Sequence, residues 1–300
     1  MKIAALQCST LNLTSNRLEH YVKLCQDSEV EILLLPEYAT TSFYMEAPMA
    51  LLKAQSEHRI KLMELSKKYG VVIVAPVLLV ASDRHRVRKA LKKSIMLVNP
   101  AASCYFDQQI LVHYEEWDEY NFYANSRDPM RQAYLPTFKY KAFTLGILSG
   151  FETHFDFFWN QAVRKNVDIM LVPTAACFQS KDRWRELLKS RAMLKGLHVL
   201  RANRLGSYFP KGQEIVGDLS AKLDAPLESS KGEVEEGEWC FYGDSFYVNS
   251  YGDLISNLDD QEGLLIACIE EHAVHARRFW GFEALRKRFL AKNLPMDETS

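Results

Sequence analysis

Glu37 follows four apolar residues and a proline, Ile32-Leu33-Leu34-Leu35-Pro36. An acid in that setting lies at the carboxyl end of a buried strand, where α/β proteins usually bind ligands. Taken alone, the same residues also fit a solvated loop glutamate. A second informative run is Gly146-Ile147-Leu148-Ser149-Gly150-Phe151-Glu152-Thr153-His154-Phe155, a buried strand turning sharply into a helix, with glycine, an aromatic and an acid at the turn. Gly150 supplies no side chain, and strand alternation predicts that the Ser149 hydroxyl faces the opposite way.

Cysteine is the other chemistry-bearing residue type. The six cysteines, at 8, 25, 104, 177, 240 and 268, have neither CxxC spacing nor histidine partners, which argues against zinc. Five are expected to pack as small hydrophobes. Cys177, four residues beyond Pro173, is the exception considered below. There is no glycine-rich phosphate loop and no metal-ligand spacing, so no cofactor is expected.

These residues need elements to hold them. The spacing predicts strands at 2–7, 31–35, 71–80, 94–98, 104–112, 141–149 and 167–172, and near Val199, Phe241 and Leu264. Helices are predicted at 15–26, 48–68 and 182–197, the second with Met49, Leu52, Ile60 and Met63 on its apolar stripe. Two β-rich layers with helices outside satisfy this order. One domain over 1–285 with a tail at 286–300 is expected. Between Gly206 and Tyr242 the pattern lapses, and its acidic, Gly/Ser-rich middle at 227–237 reads as a solvated loop, either a lid, an interaction segment or plain surface.

Composition bounds the partners. With 37 basic and 38 acidic side chains, the formal net charge of −1 leaves no electrostatic footprint for nucleic acid or anionic membrane. No run approaches the ~20 apolar residues of a membrane span, which makes a cytoplasmic location the default.

From residue 1 to about 285 the chain resembles the nitrilase (carbon-nitrogen hydrolase) superfamily. Its opening strand Met1-Lys2-Ile3-Ala4-Ala5-Leu6-Gln7 and the Leu35-Pro36-Glu37 block are similar to that family's first two blocks. The resemblance continues through Val172-Pro173-Thr174-Ala175, the helix from Trp184 to Arg191-Ala192, the strand with Asn203-Arg204 and Gly206, and the hairpin from Tyr242 to Asp253. It implies an α-β-β-α sandwich that dimerises, or assembles further, through the helices beside the elbow. It also implies a catalytic triad, and here the chain departs from the pattern. Glu37 matches the general base. Phe106-Asp107-Gln108-Gln109-Ile110-Leu111 resembles the block whose lysine holds the oxyanion, but Gln108 stands at the lysine's place. Gly150 stands where the family has its nucleophilic cysteine, beside Phe151 and Glu152. Leu111 to Glu116 resembles the segment carrying a second acid, implying that role for Glu116 and a place in the pocket for His113.

Three readings follow. In the first, the protein is catalytically degenerate, keeping a pocket for a small amide, nitrile or amine-like ligand; two acids without their cation would show at least one raised pKa and would favour an amine. In the second it remains an amidohydrolase acting on non-peptide C–N bonds with a relocated nucleophile, Cys177, and an oxyanion hole from backbone amides or Arg183. In the third it is a silent partner subunit or regulatory homodimer using the 181–197 helix and the Arg277–Phe282 tail.

Overall fold

The computed structural model describes residues 1–9, 11, 16–40, 49–80, 91–114, 117–125, 133–177, 180–208 and 239–280. In chain order its strands begin with β1 (Lys2–Gln7), β2 (Ile32–Leu34), β3 (Val72–Val80), β4 (Leu91–Val98) and β5 (Ser103–Asp107). A two-residue pair, β6 (His113–Tyr114) and β7 (Trp117–Asp118), precedes β8 (Thr137–Tyr140), β9 (Phe143–Ile147), β10 (Ile169–Thr174) and β11 (His198–Asn203). The last five are β12 (Leu205–Tyr208), β13 (Trp239–Tyr242), β14 (Phe246–Val248), β15 (Leu254–Asn257) and β16 (Gly263–Cys268). The helices are α1 (Arg17–Asp27), α2 (Met49–Tyr69), α3 (Asp156–Arg164), α4 (Lys181–Lys195) and α5 (Val274–Phe279).

Two mixed six-stranded sheets result, ordered β16-β1-β2-β3-β4-β5 and β15-β14-β11-β10-β9-β8. Each has parallel strands at its centre (β1-β2-β3 and β9-β10-β11) and antiparallel strands outside them. Alternation along the strands gives each sheet two apolar faces. Ile3, Ile32, Val74 and Leu97 meet Leu145, Ile147, Leu171 and Leu200 between the sheets. On the outside, Ala4, Leu33 and Ile73 pack on Leu18 and Val22 of α1 and Leu62 and Leu65 of α2. The second sheet's outer residues, Met170, Val172 and Val199, pack on Trp159 of α3 and Leu188 of α4. The expected α-β-β-α layering is what these residues build.

Details differ from the sequence reading. In α2, Ile60 and Met63 face solvent, because the buried stripe runs through His58, Leu62, Leu65 and Ser66. The predicted strand at 141–149 is a hairpin, β8–β9, turning at Lys141 with φ of 52°. The strand predicted at 104–112 ends at Asp107. At the edges of the 206–242 gap, β12 pairs antiparallel with β13, Gly206 opposite Phe241; the acidic middle of that loop, residues 227–237, lies outside the described residues, as does the 286–300 tail.

Candidate functional site

The parallel strands β2, β9 and β10 end together, and the site forms where they do. The Glu37 N–H donates to the Thr174 carbonyl at 3.2 Å, joining the end of β2 in one sheet to the end of β10 in the other. Immediately after it, Tyr38 holds a φ of 58°, a strained value for a residue with a side chain. Its ring is buried, and its hydroxyl donates to Glu119 Oε1 at 2.9 Å.

The elbow follows β9. That strand stops at Ile147, and residues 150–154 form one 3-10 turn. Glu152 organises it: one carboxylate oxygen accepts the Gln109 N–H at 2.7 Å and the Ile110 N–H at 3.3 Å, and the other accepts the Ser149 N–H at 3.1 Å. Glu152 therefore ties the elbow to the chain leaving β5. Burial pushes its carboxyl up to about 7, against the pull of those three N–H groups. Phe151 turns away, stacking edge-on against Phe155 at 5.7 Å and packing on the α3–α4 side.

Gly150 has no side chain, but its backbone participates. The Gly150 N–H donates to Glu37 Oε1 at 3.1 Å. Among the described residues, Glu37 is thus an expected site residue that the fold brings from the other sheet onto the elbow.

The group on its other oxygen is Lys93, which the sequence reading did not select. Lys93 Nζ lies 3.4 Å from Glu37 Oε2 and 2.6 Å from Glu119 Oε1, with side-chain exposures of 7% for Lys93, 10% for Glu37 and 2% for Glu119. The ammonium also sits 5.0 Å from the Tyr38 ring centroid and 5.9 Å from that of Tyr123. The expectation of two acids without a cation is therefore corrected: the cation is present, supplied from β4. Burial opposes the charge on Lys93, yet Glu119 and Glu37 outweigh it and raise its pKa. Burial raises Glu37 as well, with the Glu119 charge adding to it and Lys93 pulling the other way. A raised carboxyl holds protons more readily, which suits a base.

Gln108 is buried but spends its amide on the Ile110 carbonyl at 2.9 Å. Glu116 lies outside the described residues. The acid beside the lysine is Glu119, three residues further on, fixed by reciprocal bonds: its N–H donates to the Val112 carbonyl at 2.9 Å, and its Oε2 accepts the Val112 N–H at 3.0 Å. His113 points outward, 72% exposed, against Asp118 at 3.1 Å. Cys177 packs beside Tyr38, Leu111 and Phe241 and forms a backbone bridge with Phe241. Burial pushes its thiol up to about 12, which leaves almost no thiolate near neutral pH. Arg183 lies on the exposed side of α4.

A cavity of about 10 Å³ adjoins these groups, bordered by Glu37, Tyr38, Lys93, Gln108 and Ser149 together with Val77 and Leu78. That is room for about one water. Ser149, still extended at φ −61° and ψ 150° just before the turn, also borders it.

Two sequence signals could have found the missing pair. Leu91, Lys93, Ile95 and Leu97 share one strand parity, and a lysine among inward apolar residues is conspicuous once the strand starts at Leu91 rather than Ser94. Glu119 closes an acid-rich run, Glu115-Glu116-Trp117-Asp118-Glu119, in which spacing alone does not choose the buried acid.

No group of three or more histidine, cysteine, aspartate or glutamate side chains among the described residues is placed to hold a metal ion. In comparison with known proteins, the chain's fold is similar to that of a carbon-nitrogen hydrolase from Helicobacter pylori G27, at 17% identity and a TM-score of 0.74, over 98% of this chain and 100% of the other. An amidase from Nesterenkonia sp. is similar at 17% identity and a TM-score of 0.68, over 95% of this chain and 96% of the other. A Cys-to-Ala mutant of the Nesterenkonia sp. AN1 amidase, solved in complex with butyramide, also matches at 17% identity and a TM-score of 0.68, over 95% of this chain and 96% of the other. No curated protein matches the chain. The carbon-nitrogen hydrolase family model matches residues 2–279, and with both sheets and the acid-bearing strand ends inside that span, the chain belongs to the carbon-nitrogen hydrolase family of the nitrilase superfamily.

Proposed function

We propose that this protein is a catalytically silent carbon-nitrogen hydrolase relative that holds a small amide-like ligand without cleaving it. The carrying observation is that Glu37, placed as a base, meets a backbone N–H at Gly150 rather than a side chain that could attack. Cys177, the alternative nucleophile, is packed in a hydrophobic cluster with its thiol pushed up to about 12. The butyramide complex of the Cys-to-Ala amidase mutant supports ligand retention in a similar fold that lacks that cysteine. An amide reaching Glu37 would displace the single water's worth of space and widen the cavity. The built-in ammonium of Lys93 removes the reason to favour an amine ligand.

The test has two arms. Purified protein at high concentration is given a panel of amides, nitriles and N-carbamoyl compounds with ammonia release as readout, and butyramide binding is measured by calorimetry. Binding without turnover is the expected result. Turnover abolished by Glu37→Ala would refute silence, and Ser149→Ala and Cys177→Ala would then locate the nucleophile.

A homodimer through the α4 and α5 face is part of the same reading. Met193 and Leu194 of α4, Phe279 at 73% exposure and Trp280 at 47% leave apolar surface there, and Tyr251 meets Phe279 edge-on at 6.0 Å. Light scattering should give a dimer mass that Phe279→Ser with Trp280→Ser reduces to a monomer. A cytoplasmic location is proposed too, supported by the five described cysteines all being free; no helix among the described residues is long and apolar enough to cross a membrane.

A further inference from the structure

We infer that Lys93 on β4 is the charge donor of this site, standing across from Gln108 just beyond the end of β5, so that the site lacks a nucleophile and nothing else. The inference rests on the proposal above that position 150 supplies no attacking group.

Register carries the first part. Ser94 pairs with Asp107 in the β4–β5 ladder. One residue further, the Gln108 N–H still donates to the Lys93 carbonyl at 2.9 Å. Asn125 clamps the pair, its amide donating to the carbonyls of Lys93 at 2.8 Å and Gln108 at 2.7 Å while its oxygen accepts the Lys93 N–H at 2.9 Å. Lys93 and Gln108 are thus cross-strand neighbours held at one level, and Lys93 borders the cavity with its ammonium between two acids. The two oxygens of the Glu37 carboxylate join that ammonium to the Gly150 N–H. A ligand carbonyl in the cavity would meet the Lys93 charge, whereas the Gln108 amide is already committed to Ile110.

Sterics supply the second part. A Cβ at 150 would come 3.0 Å from Thr174 Cγ2 and 3.4 Å from the Pro173 carbonyl. Thr174 cannot easily rotate away, because its hydroxyl bonds Asn203 Oδ1 at 2.7 Å and accepts from Arg201 Nε at 3.1 Å. Thr174→Ser removes the crowding methyl and keeps the hydroxyl. With a thiol at 150 the step balances. Sulfur forms the C–S bond to an amide carbonyl carbon as the C=O π pair moves onto oxygen beside Lys93. Glu37 takes the thiol proton and returns it to the amide nitrogen, the C–N bond breaks, and ammonia leaves a thioester. Water then yields the carboxylic acid and restores the thiol.

The experiment compares three purified full-length variants with butyramide: Gly150→Cys with Thr174→Ser, the same with Gln108→Lys added, and the same with Lys93→Gln added, read by ammonia release and by intact mass for the thioester. The first should turn over, Gln108→Lys should raise its rate by less than about 3-fold, and Lys93→Gln should lower it ~100–1,000-fold, the cost of losing one oxyanion donor. Should Lys93→Gln fail to fold, the first two variants decide. Turnover appearing only with Gln108→Lys, or no thioester in either, overturns the assignment. Turnover by the unaltered protein would instead overturn catalytic silence and leave the assignment of Lys93 standing.

Discussion

Replacing Lys93 by methionine is the perturbation whose size the structure sets most directly. Methionine has nearly the same length and no charge, so the change keeps the volume and removes the ammonium held between Glu119 at 2.6 Å and Glu37 at 3.4 Å. Burial of all three side chains means water does not replace the lost partner. Removing one member of a buried ion pair costs about 3–5 kcal/mol, mostly from the carboxylates left behind. At roughly 2–4 °C per kcal/mol for a large domain, Tm should fall by about 6–20 °C. The neighbouring Lys92, at the protein surface and 3.2 Å from Asp107, is the internal control, and Lys92→Met should cost less than about 1 kcal/mol. Urea denaturation at pH 7 of the wild type, both single variants and Lys93→Met/Glu37→Gln/Glu119→Gln completes the comparison. The triple variant should recover more than half of the Lys93→Met loss, because it removes the stranded charges. A Lys93→Met loss under 1 kcal/mol, or a triple variant less stable than the single one, would refute the reasoning.

Other consequences are as direct. Gly150→Ala should destabilise by about 1–3 kcal/mol through overpacking against Thr174, and Thr174→Ser should relieve at least half of it in a double-mutant cycle; additive losses would show that the 3.0 Å contact is not the cause. Glu152 has its folded pKa pushed up to about 7, above its ordinary value near 4.5. Its contribution is therefore complete below pH 4.5 and is lost as pH rises toward 7, by roughly 3 kcal/mol, so Glu152→Gln should flatten the stability profile across that window; an unchanged profile counts against burial as the cause. In native protein at pH 7.5, iodoacetamide should modify exposed Cys104 and Cys268 well before Cys177, as read by peptide mass spectrometry; early modification of Cys177 would reopen it as a nucleophile.

The sequence by itself determined the layering. Near-continuous apolar strands such as Lys2–Gln7 and Ile169–Thr174 carry two buried faces, and that requires a partner sheet on one side and helices on the other. The residues around Glu37 left a ligand-binding acid and a solvated loop glutamate both open, and only the family resemblance favoured the first; the fold buries the side chain beside Gly150 and Lys93. The sequence shows Gly150 at the turn, but its reading as the place of a missing nucleophile came from the family resemblance. What only the tertiary structure decided is which charges meet. Lys93 and Glu37 are 56 residues apart and reach each other through strands separated by β3. A one-residue slip in the pairing register of β4 would turn Lys93 from the acids to the opposite face of the sheet. Likewise, the burial of Glu119 follows from its backbone and carboxylate both pairing with Val112. Apolar periodicity reports which face of an element is inside; it does not report which two strands will bring a lysine and a pair of glutamates to the same point, because that depends on register across the whole sheet.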